Sequence, residues 1–267
     1  MSFINIILKF YIIVLIFRSI FTSQELYFNP FGKMVASLTE PIFSNLFKGK
    51  SKAVTDKYIP FMIIFIIFLQ FLVNVLGNFS FASIILLDTI LDNLSFLSVF
   101  FIISIILGAG IGIQTYYSIY FYRIGLPWIK FTRKFINIQD NRIVFPAIIL
   151  MIFIYGVVIV GLNAILNFIY RGDLFLTGAL VKFLSGSVNI IDSLLSYLFW
   201  LIVIRALISW VSPDPRNPFV QIVYSLTEPI LAPFRRIIPP LGFLDLSAFV
   251  VLIIIEIIRN LLLRIYI

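Results

Sequence analysis

The chain has 267 residues, 61% of them hydrophobic and only 12% charged, with 20 Lys and Arg against 12 Asp and Glu for a net charge of +8. Soluble domains carry about 25% charged residues, so this composition excludes an ordinary soluble domain and implies a chain that lives in a bilayer. It has no Cys and no His, which removes disulfides, thiol nucleophiles, the usual zinc and haem ligands and the commonest general base, so no cofactor, metal or catalytic residue is expected.

In chain order, six apolar runs stand out: Phe3 to Phe21, Ile59 to Leu76, Leu94 to Ile113, Val144 to Ile165, Ile190 to Val211 and Leu244 to Ile265. Each is near the ~20 residues that a helix needs to cross the hydrocarbon. The expected fold is all-α, a polytopic membrane helix bundle of six transmembrane helices arranged in hairpins. The first run has Lys9 inside it and no small-residue cleavage site before Arg18, so it reads as a retained span, with Lys9 snorkelling. The expected divisions are an N-terminal hairpin over 1–78, a middle hairpin over 79–170 and a C-terminal hairpin over 171–267.

Basic residues are distributed unevenly between the connections. The first carries Lys33, Lys48, Lys50, Lys52 and Lys57, the third Arg123, Lys130, Arg133, Lys134 and Arg142, and the fifth Arg216, Arg235 and Arg236. The second has none, and the fourth only Arg171 and Lys182. The positive-inside rule therefore places the odd-numbered loops in the cytoplasm and both termini outside, although Arg259 and Arg264 pull mildly the other way. The surplus charge is read as a topology and lipid signal; direct nucleic-acid binding is not expected.

The fifth loop carries the densest motif. Asn217-Pro218 is a helix start, in which Asn caps free N–H groups and Pro at the first position gives up a donor that would be unpaired anyway. Phe219, Ile222, Val223 and Leu226 then form one apolar face, and Thr227-Glu228-Pro229 is expected to break the helix because proline disfavours a helical residue before it. A second short segment, 230–238, carries Arg235 and Arg236 and is stopped by Pro239-Pro240. Two short amphipathic helices, lying at the cytoplasmic interface or dipping back into the protein, are the expectation. The first loop repeats the start with Asn29-Pro30, an apolar Phe31, Met34, Val35 and Leu38, and Thr39-Glu40-Pro41; Asn to Thr is ten residues in both copies.

The C-terminal residues Arg205, Ser209-Trp210, Asn217-Pro218, Thr227-Glu228-Pro229, Pro233-Phe234-Arg235-Arg236, Pro239-Pro240, Gly242 and Asp245-Leu246-Ser247 resemble the YGGT repeat of the YggT family of small integral membrane proteins. The N-terminal Arg18, Asn29-Pro30 and Thr39-Glu40-Pro41 look like a second, worn copy. It lacks the Ser-Trp, the Arg-Arg and the Pro-Pro, and offers Phe47-Lys48-Gly49-Lys50 and Asp56 instead. The middle third looks like a more degenerate one, with Asp92 aligned on Asp192 and Pro127 followed by Arg133-Lys134 as Pro229 is by Arg235-Arg236. The resemblance implies a bacterial inner-membrane protein without a settled chemistry. Its relatives are associated with membrane organisation, cell division and cytochrome complex assembly, and have been linked to osmotic and potassium homeostasis.

The charges in the apolar runs have two readings each. Arg18 and Arg205 either pair with carboxylates that return to the same side, Glu40 or Asp56 and Glu228 or Asp245, or snorkel to lipid phosphate. Glu256 is either a proton or cation ligand facing the bundle or the partner of Arg259 on its own helix. Asp88 with Asp92, and Asp173 with Asp192, are expected at the outer face, with Asp56, Asp192 and Asp245 at N-caps. Ser104, Gly108 and Gly112 form a small-residue face for close helix packing.

The expected function is non-enzymatic: a scaffold or assembly factor that holds another membrane or membrane-associated protein, in contact with membrane lipids and compatible with self-association. The alternative is an ion or small-solute transporter or channel, against which stands the lack of an evident polar stripe in the spans. A membrane enzyme is the third class, and no convergent carboxylate cluster supports it.

Overall fold

A computed structural model describes residues 3–77, 81–110, 118–138, 141–171, 179–211, 217–238 and 246–266. The described residues form eleven α-helices: α1 (Phe3–Ile20), α2 (Ser23–Phe28), α3 (Pro30–Leu46), α4 (Lys52–Thr55), α5 (Ile59–Gly77), α6 (Ala82–Ile105), α7 (Ser118–Arg133), α8 (Val144–Arg171), α9 (Ala179–Val211), α10 (Pro218–Ile237) and α11 (Leu246–Tyr266). There is no strand among them. Five helices are long and apolar enough to cross a membrane, over Phe3–Ile20, Lys52–Gly77, Ala82–Gly108, Val144–Ile165 and Phe183–Ser209. The sixth expected span is helical as α11. The chain is thus an all-α membrane helix bundle.

It divides into two compact units, Met1–Leu94 and Ser95–Ile267, with the boundary inside α6. In the first, α1 packs on α5 and α3, and α2 packs on α3. The Phe31 ring meets the rings of Phe17 and Phe21 edge-on, with centroids 5.0 and 5.5 Å away, and so joins α3 to the end of α1. Gly32 lets α2 approach: a Cβ there would lie 1.9 Å from the Glu25 carbonyl oxygen. In the second unit α9 packs on α8, α10 and α11. A core of Ile202, Leu231, Ala248, Val251 and Ile255 joins α9, α10 and α11.

Several boundaries differ from those read in the sequence. The third span begins at Ala82 instead of Leu94, and the fifth at Ala179 instead of Ile190. Asp88, Asp92 and Asp192 therefore lie inside helices and not at their starts, because the polar residues before each apolar run continue the same helix. Asp56 is not an N-cap either. It ends α4 in a helical conformation and opens a 3₁₀ turn, Asp56–Tyr58, that leads into α5. The small-residue face is used: Ser104 is fully buried, and Gly108, in a π-helical turn, lies against the Tyr122 backbone of α7, where a Cβ would come within 2.3 Å.

Neither amphipathic helix breaks at its Thr-Glu-Pro. Helix α3 runs through Pro41, and α10 runs through Pro229 and Pro233 as a single helix of 20 residues. An internal proline costs a helix about 3 kcal/mol in isolation, but tertiary contacts on the turn before it hold these two together. The buried face of each helix centres on its threonine. Thr39 and Thr227 are fully buried at its centre, beside Val35 and Phe43 in α3 and Val223 and Leu231 in α10. Met34, Leu38 and Phe219, on the apolar faces read in the sequence, are exposed.

Candidate functional site

Two arginines near the ends of long apolar helices organise the two amphipathic ones. Arg18, in the last turn of α1, is buried and donates through Nη1 to Thr39 Oγ1 (2.6 Å) and to Glu40 Oε1 (2.8 Å) of α3. Arg205 of α9 donates to Thr227 Oγ1 (2.7 Å) and Glu228 Oε2 (2.5 Å) of α10. The threonines act alike: each hydroxyl donates to the carbonyl four residues back, Val35 at 2.9 Å and Val223 at 2.7 Å, and accepts from its arginine. Each hydroxyl thus uses donor and acceptor capacity together inside an apolar contact. Each guanidinium also lies over an aromatic face, Phe43 at 4.0 Å for Arg18 and Tyr224 at 4.4 Å for Arg205.

The helix starts that present these groups are capped alike. The Asn29 side chain accepts from the N–H groups of Phe31 (2.8 Å) and Gly32 (3.4 Å), and the Asn217 side chain from that of Phe219 (2.9 Å). Pro30 and Pro218 occupy the first position of each helix. Helix α2 was not expected. Its capping box, with Thr22 and Glu25 bonded reciprocally, is the four-residue signal that announces it.

The clasps differ in their second partners. Around Arg18 lies another carboxylate, Asp56, at 3.7 Å from Nε, and Lys52 pairs with Asp56 in turn. Tyr27 donates to Glu40 Oε1 at 3.0 Å; burial, then the Glu40 bond and charge, push its phenol up. Around Glu228 lies another cation, Arg235, which donates to both carboxylate oxygens at 3.0 Å. Burial pushes the Glu228 carboxyl up, but the hydrogen bonds and charges of Arg205 and Arg235 together outweigh it and hold it below the usual glutamate value.

Other residues of the motif are placed as follows. Trp210 is in the last turn of α9, Pro233 and Arg236 are exposed on α10, and Ser247 is buried in the first turn of α11. Pro239, Pro240, Gly242 and Asp245 lie outside the described residues, as do Gly112 and Asp173. Glu256 does pair with Arg259 on its own helix (3.2 Å), and Arg259 reaches Asp192 of α9 at 2.8 Å, a contact that was not foreseen. Lys9 does not snorkel: it is buried and pairs with Asp92 at 2.8 Å.

Helix α7 likewise runs through an internal proline, Pro127, which follows Gly125-Leu126. Twenty residues before Gly125 stands Ile105. A Cβ on Gly125 would lie 3.1 Å from the Ile105 side chain, so the two positions meet in an apolar contact. Trp128 ties α7 to α8 by donating to the Ala147 carbonyl at 2.8 Å.

No group of three or more carboxylates suited to a metal occurs among the described residues. Comparison with known proteins points the same way as the motif. An uncharacterised protein of Vibrio alginolyticus, encoded in the proC 3′ region, is 47% identical over 68 residues, which cover 26% of this chain and 36% of that protein. An uncharacterised Pseudomonas aeruginosa protein is 41% identical over 71 residues, 26% of this chain and 36% of its own. The uncharacterised protein YggT of Escherichia coli is 29% identical over 79 residues, 30% of this chain and 42% of its own. The chain thus spans about two fifths of the length of the curated relatives it matches. No solved structure matches. The family model CCB3/YggT matches residues 184–266, the stretch that holds the Arg205 clasp, and makes the C-terminal part of this chain similar to that family.

Proposed function

We propose that the chain is a non-enzymatic membrane scaffold that holds a partner protein at the bacterial inner membrane, with the odd-numbered loops on the cytoplasmic side. The observation that carries this reading is the clasp itself. In both copies a buried arginine, a doubly bonded threonine and a glutamate fix an amphipathic helix on the end of an apolar one. A rigidly held helix is suited to presenting a surface and ill suited to moving with a transported solute.

The surface of α3 supports this. Met34, Leu38, Ile42 and Leu46 form an exposed apolar stripe, which suits the acyl boundary of the membrane, while Lys33, Ser37 and Ser44 are exposed beside it. We further read the chain as three related hairpins, the middle one having exchanged the Arg-Thr clasp for Ile105 against Gly125. The assignment of the first and middle hairpins to the repeat rests on that geometry and on the spacing of Asn29 and Thr39.

The test is mild cross-linking in native membranes, followed by affinity purification of the tagged chain and mass spectrometry. A discrete partner, retained by the parent chain and lost from the Glu228→Gln, Arg235→Gln variant while that variant still elutes as a folded species, supports the scaffold. Recovery of the chain alone, or a partner retained equally by the variant, refutes it. A second reading, passage of an ion or small solute, draws on a different observation, a buried polar seam in the first unit.

A further inference from the structure

The first unit holds a line of polar side chains at the end of α1 away from Arg18. Asn5 Nδ2 donates to Asn74 Oδ1 of α5 (2.7 Å), Asn74 Nδ2 to Thr89 Oγ1 of α6 (3.0 Å), and the Thr89 hydroxyl to the Ile85 carbonyl (2.8 Å). One turn deeper, Asn93 Nδ2 donates to Gln70 Oε1 (2.6 Å), and Gln70 Nε2 to the Asn5 carbonyl (3.4 Å). The Lys9–Asp92 pair closes the line. Asn5, Lys9, Gln70, Thr89 and Asn93 are all buried, in three helices otherwise apolar enough to span a membrane. Here the sequence reading, which found no polar stripe, is overturned.

Two acceptors in this seam have no hydrogen-bond partner. They are Asn5 Oδ1 and Asn93 Oδ1, on residues that are 4% and 1% exposed, and Gln70 bonds to both residues. A buried acceptor left unpaired carries its full desolvation cost, and buried water making about three hydrogen bonds is the usual remedy. The seam ends at a carboxylate on the surface of the unit: the Asp92 side chain is 43% exposed against 7% for Lys9. Asn5 lies in the first turn of α1 and Asn74 in the last turn of α5, so the line starts at one end of the unit. Lys9 lies about 6 Å further in by helical rise.

We propose that this seam is a water-binding site inside the membrane, a hydrated half-path that opens where α1 begins and α5 ends and stops at the Lys9–Asp92 pair. Its ligands are water and small solutes that donate hydrogen bonds, received by the two free amide oxygens. The proposal stands apart from the scaffold reading, since it concerns the other end of the unit.

The absence of cysteine makes the test direct, because a single introduced thiol is the only one in the chain. Thr89→Cys, Asn93→Cys and Phe65→Cys chains in sealed vesicles are treated with a charged methanethiosulfonate reagent from either side. The reagent attacks the thiolate, which forms only where water reaches; thiols at 89 and 93 should react at least about tenfold faster than one at 65, an exposed apolar position on α5. Equal, slow reaction at all three positions overturns the proposal. Thr89→Cys changes little volume, so it decides the matter should Asn93→Cys fail to fold.

Discussion

The N-terminal and C-terminal clasps reach the same geometry from different neighbours. Both place an arginine on a threonine that is itself bonded to the preceding turn, and both follow that threonine with glutamate and proline. Beyond this core they diverge. The first sets one arginine among two carboxylates, Glu40 and Asp56, with Lys52 behind; the second sets one carboxylate, Glu228, between two arginines. Even the aromatic faces come from opposite directions, Phe43 four residues after its threonine and Tyr224 three residues before. The Arg-Thr bond therefore fixes the helix, and the outer charges only balance it.

That difference predicts unequal costs for the same substitution. Arg18→Leu leaves Glu40 without a cation, while Asp56 keeps Lys52, and should lower stability in detergent by about 3 kcal/mol. Arg205→Leu leaves Glu228 still paired with Arg235 and should cost roughly half as much. Thermal unfolding of the two variants side by side checks this; equal losses would mean that Arg235 does not compensate Glu228.

The threonines sharpen the comparison by being alike where the charges differ. Thr39→Val and Thr227→Val each remove one accepted and one donated bond at constant shape, leaving a buried guanidinium N–H unpaired, for about 1 to 2 kcal/mol each. Their losses should match within error. In a double-mutant cycle, Arg18→Leu with Thr39→Val should fall short of the sum, since both remove one bond. Smaller again are the caps, where Asn29→Ala should cost about 1 kcal/mol and Asn217→Ala somewhat less. Asn29 is buried and serves two N–H groups, whereas exposed Asn217 serves that of Phe219. Helicity and melting temperature report both.

The caps and the Arg-Glu pairs were legible in the sequence because each is a short-range or regularly spaced signal. Asn-Pro states its own local geometry, and the equal Asn-to-Thr spacing in two places pointed to one structure. Continuity of α3 and α10 was not legible, because proline reports a local cost while the contacts that outweigh it come from α1 and α9. The polar seam was missed for a related reason: Asn5 and Asn74 meet across 69 residues. A signal was nevertheless present, since Asn5 with Lys9, Gln70 with Asn74, and Thr89 with Asn93 each fall four apart on otherwise apolar helices. Three such pairs in consecutive spans define three polar faces, and polar faces in a membrane turn towards each other.

The smallest effect expected is also specific to the C-terminal clasp. Glu228 titrates below the ordinary value of 4.5 because, against burial, Arg205 and Arg235 favour its charged form. A carboxylate whose folded pKa is depressed contributes stability that is complete above its unfolded value and is lost as pH falls through that value to the folded one. Melting temperature should therefore decline as pH is lowered from about 5, and Glu228→Gln should flatten that decline while lowering the plateau at neutral pH. The side chain is 41% exposed, so solvent screening keeps the effect small, and added salt should shrink it further. Arg235→Ala should give an intermediate slope, because Arg205 alone still holds the carboxylate charged. A slope unchanged by either substitution would move the acid response to other carboxylates and reduce Arg235 to a surface charge.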